Sequence, residues 1–397
     1  MRLRTVRLLV VLMAGVLLGD WALAQPGPVE AAPKPEQNYE ELPVEALKKN
    51  DANKVSSILM AGKFANGDQA LFDSFYQDYF LSRWTKVKTI ASLPAWRKEL
   101  RISHLGKKAA NPNVHDHLNT LVLEFMKNLA VGPYHPAVQV NAMLMIGELN
   151  GVEMPPTPLP EALNVMMAAA GNAKLSDAVR VAALVGIQRH IAAGISDQEV
   201  VRSLTSALLK LEAADLPAGA AAAGREWILA LATETLGRLG SVGENNAVFK
   251  MMAKTLSDVK LSLSTRSIAA ESLGRLNYAG AAGINPVEAA AMLGQFVIDA
   301  CTEELRRGKD AGLPISRRRM KQSLSAAMLA LIGGEENRKG IAPLAREPGQ
   351  RAFLAELQKN IETLMKVLDK ASEGDDLEGP VDQLRSTLEA WLKKKPK

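Results

Sequence analysis

The feature that most constrains this chain is a block that recurs five times between residues 136 and 333. Each block carries a first anchor, a second anchor four residues later and a third anchor eight residues later. The anchors are Val138, Ala142 and Ile146; Val179, Ala183 and Ile187; Ile228, Ala232 and Leu236; Thr265, Ala269 and Leu273; and Leu324, Met328 and Ile332. Residues at steps of four lie on one face of a helix, so each block predicts a helix with a buried stripe.

A glycine follows the third anchor in four blocks, at Gly147, Gly237, Gly274 and Gly333, whereas the second block has Gln188 there. Glycine inside a helix costs about 1 kcal/mol relative to alanine. It is favoured where a helix ends, or where a neighbouring backbone lies too close for a Cβ atom. We therefore expect close helix contacts or helix ends at these glycines.

A further apolar helix precedes each block, which predicts five helix pairs. The first helices are expected at residues 114–130, 159–170, 197–212, 244–257 and 286–306, and the second helices at 136–150, 176–191, 222–240, 262–277 and 316–333. Ser176, Ser264 and Ser316 are candidate N-caps. Pro136 and Pro286 suit the first turn of a helix. The segment PPTPLP at residues 155–160 is expected to be a loop between helices.

Two-helix units whose first anchors are 37 to 59 residues apart are typical of α-solenoids. In the segments SDAVRVAALVGI and STRSIAAESLGRLN the chain resembles the second helix of HEAT or armadillo-type repeats. The resemblance covers roughly residues 114–334. It implies an all-α, right-handed α-solenoid whose stacked helices form a long concave surface for binding proteins. The alternative is an irregular helical bundle with chance periodicity.

Helical caps are expected on both sides of this array, which we place at residues 114–346. Residues 42–113 are expected to form an N-terminal cap. Its aromatic stripe, Phe72, Phe75, Tyr76, Tyr79, Phe80 and Trp84, follows helical spacing. Such a stripe is typical of a core, and the alternative is a stacking surface for sugars or peptides. Residues 347–397 carry two apolar seams and are expected to form a C-terminal helical hairpin. A self-pairing coiled coil is the alternative for these seams.

The N-terminus predicts a secretory signal peptide over residues 1–24. Three arginines precede the apolar or small-residue run 8–18, and Ala22-Leu23-Ala24 matches a cleavage site. The run is shorter than the roughly 20 residues that span a bilayer, and no later segment predicts a transmembrane helix. Residues 25–41 are expected to be a linker. We therefore expect an exported protein, in the periplasm or outside the cell, with Cys301 as a buried thiol that forms no internal disulfide.

The densest charge cluster is a candidate anion-binding site. It contains Arg306, Arg307, Arg317, Arg318, Arg319 and Lys321, and the one acidic residue between residues 306 and 321 is Asp310. The alternative is a solvated surface, as most charge runs are. The net charge of +5 falls to +3 without residues 1–24, which is too small to imply a polyanionic partner. With export, this argues against nucleic acid as a partner.

The sequence offers little catalytic chemistry. His115 and His117 are two residues apart on a predicted helix and point in different directions, so we expect no metal site with Asp116. HExxH, GxSxG, phosphate-loop and GxGxxG motifs are absent, and neither a cofactor nor a catalytic residue is predicted. The sequence favours an exported, non-enzymatic scaffold that binds a protein partner in the cell envelope. The alternatives are a protein that binds envelope polymer or lipid, with possible contact to the envelope surface, and a wall-associated enzyme with an unrecognised site.

Overall fold

A computed structural model describes residues 38–46, 49–106, 112–212, 221–334, 340–372 and 375–396. The predicted signal peptide and residues 25–37 of the linker lie outside the described residues. The prediction of an all-α protein is confirmed, because the described residues contain 15 α-helices and one short two-stranded hairpin. No helix among them has the length and apolar character needed to cross a membrane.

Ten α-helices between residues 112 and 332 follow the predicted order of pairs. The pairs are α4 (Pro112–Val131) with α5 (Pro136–Glu148), α6 (Pro160–Gly171) with α7 (Asp177–Ala193), α8 (Gln198–Glu212) with α9 (Ala221–Leu239), α10 (Ala247–Ser257) with α11 (Leu263–Arg275), and α12 (Pro286–Ala311) with α13 (Arg317–Ile332). Their ends lie within a few residues of the predicted ones, except that α12 continues to Ala311.

The two members of each pair pack against each other, and the pairs stack on one another. The second helices contact one another in the order α5, α7, α9, α11 and α13. We call these five helices the second-helix row. Contacts between successive first helices are sparser, and those between α8 and α10 are few. The main packing therefore runs along the second-helix row.

The anchors of the first four blocks are buried, as their spacing predicts. The last block departs from this pattern, because Met328 is partly buried and Ile332 is 41% exposed. The buried residues there are Leu324, Ala327 and Leu331, at steps of three and four. Helix α13 ends at Ile332, and Gly333 follows with φ of 74°. The expected burial of Ile332 is therefore wrong, because Ile332 is the last residue of α13 and its side chain is partly open to solvent at the helix end.

Three of the four glycines mark close contacts between second helices. A Cβ atom on Gly147 would lie 2.8 Å from the Cα of Gly186, and one on Gly237 would lie 2.7 Å from the Cβ of Ser272. A Cβ atom on Gly274 would meet the backbone carbonyl of Leu329. The block that has Gln188 in place of glycine provides Gly186 two residues earlier.

The predicted helix starts are correct with one exception. The hydroxyls of Ser176 and Ser316 accept hydrogen bonds from the amides three residues later, and Pro136 and Pro286 occupy first helical positions. Ser264 is not an N-cap. Instead, Ser262 caps α11, and its Oγ accepts from the Thr265 amide at 3.2 Å. The N-cap thus lies two residues before the predicted one, and Ser262 also donates to Glu226 of α9 at 2.6 Å.

A short antiparallel hairpin replaces the loop that we expected at residues 155–160. Strand β1 is Asn150–Glu153 and strand β2 is Pro156–Pro158. Asn150 is paired with Pro158, and Val152 with Thr157. Prolines lack an amide donor, so they limit the pairing to a few residues. The hairpin joins α5 to α6.

The region before α4 is built from short helical segments. It contains α1 (Lys49–Ala61), α2 (Asp68–Ser74) and α3 (Leu93–Glu99), with π-helical turns at Phe75–Leu81 and Leu100–Gly106 and 3₁₀ turns at Ser82–Thr85 and Val87–Ser92. Phe72, Tyr76 and Trp84 of the aromatic stripe are fully buried, whereas Tyr79 is only partly buried. The stripe therefore supplies the core of this region.

Helices α14 (Pro348–Lys370) and α15 (Glu378–Leu392) form the last pair. Helix α14 packs against α13 and α15 packs against α12. The buried Trp391 ring stacks on Phe353 at 4.1 Å, and its Nε1–H donates to the Phe353 carbonyl at 3.1 Å. Trp391 also lies against Gly294 of α12, where a Cβ atom would overlap the indole ring. This pair covers the apolar surface at the end of the array.

Candidate functional site

The second-helix row carries a regular set of partly exposed side chains. We call this set the second-helix face. Six residues after the first four first anchors are Leu144, Val185, Glu234 and Glu271, and ten residues after them are Glu148, Arg189, Arg238 and Arg275. The fifth block, with Ala330 and Gly334 at these positions, is not part of the set. Within each helix the two positions are four residues apart, so they lie on the same side. The face presents charged groups on rigid helices above a buried core.

Ion pairs and hydrogen bonds hold these side chains in place. Arg238 contacts Glu234 at 2.8 Å, and Arg275 contacts Glu271 at 3.5 Å. The Gln188 amide of α7 donates to Glu234 of α9 at 3.2 Å. Within α9 and within α11 an acid and a base are therefore paired, whereas like charges share a register on these neighbouring helices.

Burial shifts the pKa values of several groups on this face. Burial raises the pKa of Glu271, with a smaller upward effect from Glu234 and an opposing one from Arg275. Burial also raises the pKa of Glu148, although nearby arginines, led by Arg97, oppose this rise. These carboxylates are crowded by protein but still reach solvent. Incompletely solvated carboxylates gain from a hydrogen-bond donor supplied by a partner.

A polar network lies at the N-terminal end of this face and is centred on Glu153 of β1. Arg101 donates to both Glu153 oxygens, at 2.9 and 2.7 Å, Asn150 donates at 3.0 Å, and His115 Nε2 lies 3.3 Å away. Burial opposes ionisation of Glu153, but the hydrogen bonds from His115, Arg101 and Asn150 outweigh it and hold the pKa at about 2. The same contact with Glu153 raises the pKa of His115.

Arg189 connects this network to the second-helix face. Its guanidinium donates to the carbonyls of Gly147 at 2.8 Å and Leu149 at 3.2 Å, and also to Asn150 Oδ1. The last carbonyls of a helix have no partner within it, so Arg189 of α7 satisfies the C-terminal end of α5. The acids, amides and histidine that converge here bind one another, which fits a structural role for the network.

The two histidines of the segment 115–117 contact different acids. His115 contacts Glu153, whereas His117 Nε2 lies 2.6 Å from Asp73 of α2. Their divergence follows from their spacing of two residues on α4. Within the described residues, no group of three or more histidine, cysteine, aspartate or glutamate side chains is placed to hold a metal ion.

The structure places the predicted arginine cluster among acids that the sequence interpretation had not counted. Arg307 and Arg319 contact Glu304, which is 2% exposed, at 3.2 and 2.7 Å. Arg306 contacts Glu303 at 2.9 Å as well as Asp310 at 3.0 Å.

The rest of the cluster reaches towards α14. Lys321 contacts Asp369 at 2.5 Å, and Arg317 donates to the Ala371 carbonyl. Arg318 is exposed. The cluster thus joins α12, α13 and the chain around the end of α14, and much of its charge is balanced within the protein.

The aromatic residues proposed as a stacking surface mostly lie in the core. The Tyr76 hydroxyl lies 2.7 Å from His104 Nδ1, and burial raises the pKa of this tyrosine. Cys301 is also buried, and burial raises its pKa to about 12. A thiol in that state is a weak nucleophile.

Comparison with known proteins adds no relationship. No protein-family model matches this chain, and its sequence matches no curated protein significantly.

The sequence interpretation missed the second-helix face, although the signal was present. In the aligned blocks, the tenth position after the first anchor is arginine at Arg189, Arg238 and Arg275, and the sixth is glutamate at Glu234 and Glu271. Shared charges at one register of repeated helices mark a common exposed surface. The anchors that define the blocks are buried positions, and these charges lie outside them.

Proposed function

We propose that this protein is an exported, non-enzymatic helical-repeat scaffold that binds a protein partner through the second-helix face. We further propose that its helix pairs form a right-handed α-solenoid of the HEAT type, with this face on the concave side. The observation that carries the proposal is the set of fixed, partly buried carboxylates and arginines on successive second helices. Export rests on the sequence of residues 1–24.

The arrangement of charge favours binding over catalysis. The network around Glu153 brings together an acid, a histidine and an arginine, but their polar atoms are occupied by one another. Cavities of about 1220 and 850 Å³ lie elsewhere, on either side of α8. The described residues that line them include no histidine or cysteine.

Fixed charges on a rigid surface favour specific recognition of a protein. Complementary charges determine the register and the partner more than they determine affinity. Glu148 and Glu271 are partly desolvated and each contacts an arginine, so a donor that a partner brings adds to these contacts. Val185 on α7 is 44% exposed on the same face, and it offers a partner an apolar contact.

Photo-crosslinking in cells tests this proposal. A photoreactive amino acid is placed at Val185 on the face and, in a matched control, at Val259, which is 74% exposed between α10 and α11. We expect a discrete adduct with one protein from Val185 and a much weaker one from Val259. Equal adducts from both positions, or uncrosslinked protein alone, would contradict the proposal.

A further inference from the structure

The first helices leave an open cleft where α8 meets the following pair. Helix α8 packs mainly on α9 and touches α10 only sparsely. The resulting cavity, about 1220 Å³, is bounded by α8, the chain ends of α7 and α9, and the turn that leads into α10. We call it the α8 cleft. It is separate from the second-helix face except at Arg238, which borders both.

The floor of the α8 cleft is apolar. Ile191 and Ile195 contribute from the end of α7, Val201 and Leu209 from α8, and Leu239 from the end of α9. All five side chains are apolar but only partly buried. Covering them with an apolar ligand would be favourable, at about 25 cal/mol per Å² of surface removed from water.

The rim of the cleft is mainly cationic. Arg202, Lys210 and Arg238 line it, and Glu244 is the acid on the opposite side. Arg238 is paired with Glu234 at 2.8 Å, outside the cleft. Arg202 is paired with Glu199 at 2.7 Å in a highly exposed contact, which contributes little to stability. Lys210 forms no ion pair with any described residue. Lys210 and the weakly held Arg202 are therefore the rim cations that an anionic group can pair with.

Polar side chains alternate with the apolar ones along the cleft. Gln198, Ser206, Ser241 and Asn245 can each donate and accept hydrogen bonds. An acyl chain leaves such groups without partners, whereas a peptide backbone provides a donor and an acceptor at each residue. Among amphiphilic anions, this mixture favours a polypeptide over a lipid.

The length of the cleft fits a short extended segment. Its lining on α8 runs from Gln198 to Lys210, which corresponds to about 18 Å at 1.5 Å per residue. An extended peptide rises about 3.3 Å per residue, so about five or six residues fill this length. We propose that the α8 cleft binds an extended peptide segment of a partner, in which apolar side chains alternate with carboxylates.

Binding of synthetic six-residue peptides to the full chain, followed by fluorescence anisotropy, tests this inference. The probes are an acidic–apolar peptide, a basic–apolar peptide and a neutral polar peptide of equal length. We expect the acidic–apolar peptide to bind about tenfold or more tightly than the other two. Its affinity should fall as salt rises, because the screening length shrinks from about 10 Å at 0.1 M to about 3 Å at 1 M.

Two variants and one control locate the binding. Lys210→Glu reverses a rim charge, and Ser206→Trp fills the cleft from an exposed position on α8; each should weaken binding about tenfold or more. Lys127→Glu, an exposed reversal on α4, should leave the affinity unchanged. Equal binding of all three peptides, or unchanged affinity in both cleft variants, would overturn the inference. Binding to anionic phospholipid vesicles with no binding to any peptide would also overturn it.

This inference stands independently of the second-helix face. The Ser206→Trp variant should still form the Val185 adduct in cells, because Val185 does not line the cleft. Loss of peptide binding with the Val185 adduct retained separates the two sites.

Discussion

Gly147 on α5 and Gly186 on α7 bring the two helix backbones into direct contact. A Cβ atom on Gly147 would lie 2.8 Å from the Cα of Gly186, and one on Gly186 would lie 3.0 Å from the Cα of Gly147. Real Cβ atoms are essentially never found within 3.0 Å of a backbone atom of a neighbouring helix. The first two second helices therefore pack at a distance that only glycine permits.

Replacing Gly147 with alanine is expected to destabilise the protein by about 1–3 kcal/mol, because overpacking outweighs the gain of about 1 kcal/mol in helix propensity. Urea unfolding measures this change. Gly171→Ala is the matched control, since nothing lies within 4 Å of its Cβ position on α6. The control should be neutral or slightly stabilising. A stabilised Gly147→Ala protein would show that the helices are farther apart.

Arg189→Ala is expected to cost about 2–3 kcal/mol, because it removes the charged donor to the Gly147 carbonyl and to Asn150, while the Leu149 carbonyl keeps the Leu159 amide. Thermal or urea unfolding gives the value. The control is Arg202→Ala, which removes a highly exposed pair with Glu199 and should cost less than about 0.5 kcal/mol. Similar losses in the two variants would mean that Arg189 does not cap α5.

The stability contributed by Glu153 should depend on pH. Its folded pKa, about 2, lies below its ordinary value of 4.5, so its ionised form stabilises the fold above about pH 4.5. Glu153→Gln should therefore cost about 2 kcal/mol at pH 6, and this difference should vanish as the pH falls from 4.5 towards 2. The free energy of unfolding of both proteins across this range checks the prediction. A difference that stays constant with pH would argue against an ionised Glu153.

Trp391 is expected to hold the C-terminal pair against the array. Trp391→Ala should cost about 3–5 kcal/mol, because it opens a cavity beside Phe353 and Gly294. Trp391→Phe keeps an aromatic ring but removes the indole N–H that donates to the Phe353 carbonyl, so it should cost about 1–2 kcal/mol. Unfolding midpoints distinguish the two. An alanine variant as stable as the wild type would show that the pair is not packed on α12.

The helices could be predicted because apolar residues at steps of four require a buried helical stripe, whatever lies next to it. The errors arose where a distant residue decides the outcome. Ser262 caps α11 instead of Ser264 because Glu226, 36 residues away, holds its hydroxyl. The acid that pairs with Lys321 is Asp369, which lies on another helix. Local charge counting cannot include such partners.

The candidate site was partly readable from the sequence. The charges at Glu234, Arg238, Glu271 and Arg275 share a register once the blocks are aligned, so periodicity alone places them on one surface. The role of Arg189 was not readable, since its acceptors are backbone carbonyls of the preceding pair. The α8 cleft was also not readable, because it results from weak packing between two helices.

The most direct test of the account measures how the Val185 adduct depends on the charges of the second-helix face. The photoreactive amino acid is kept at Val185, and Glu271 is changed to Lys; Glu124→Lys on α4 is the matched control. We predict that Glu271→Lys lowers the yield of the partner adduct about tenfold while the protein stays folded, as its unfolding transition shows, and that Glu124→Lys leaves the yield intact. An adduct that persists at the wild-type yield in the Glu271→Lys variant would contradict the claim that this face binds the partner.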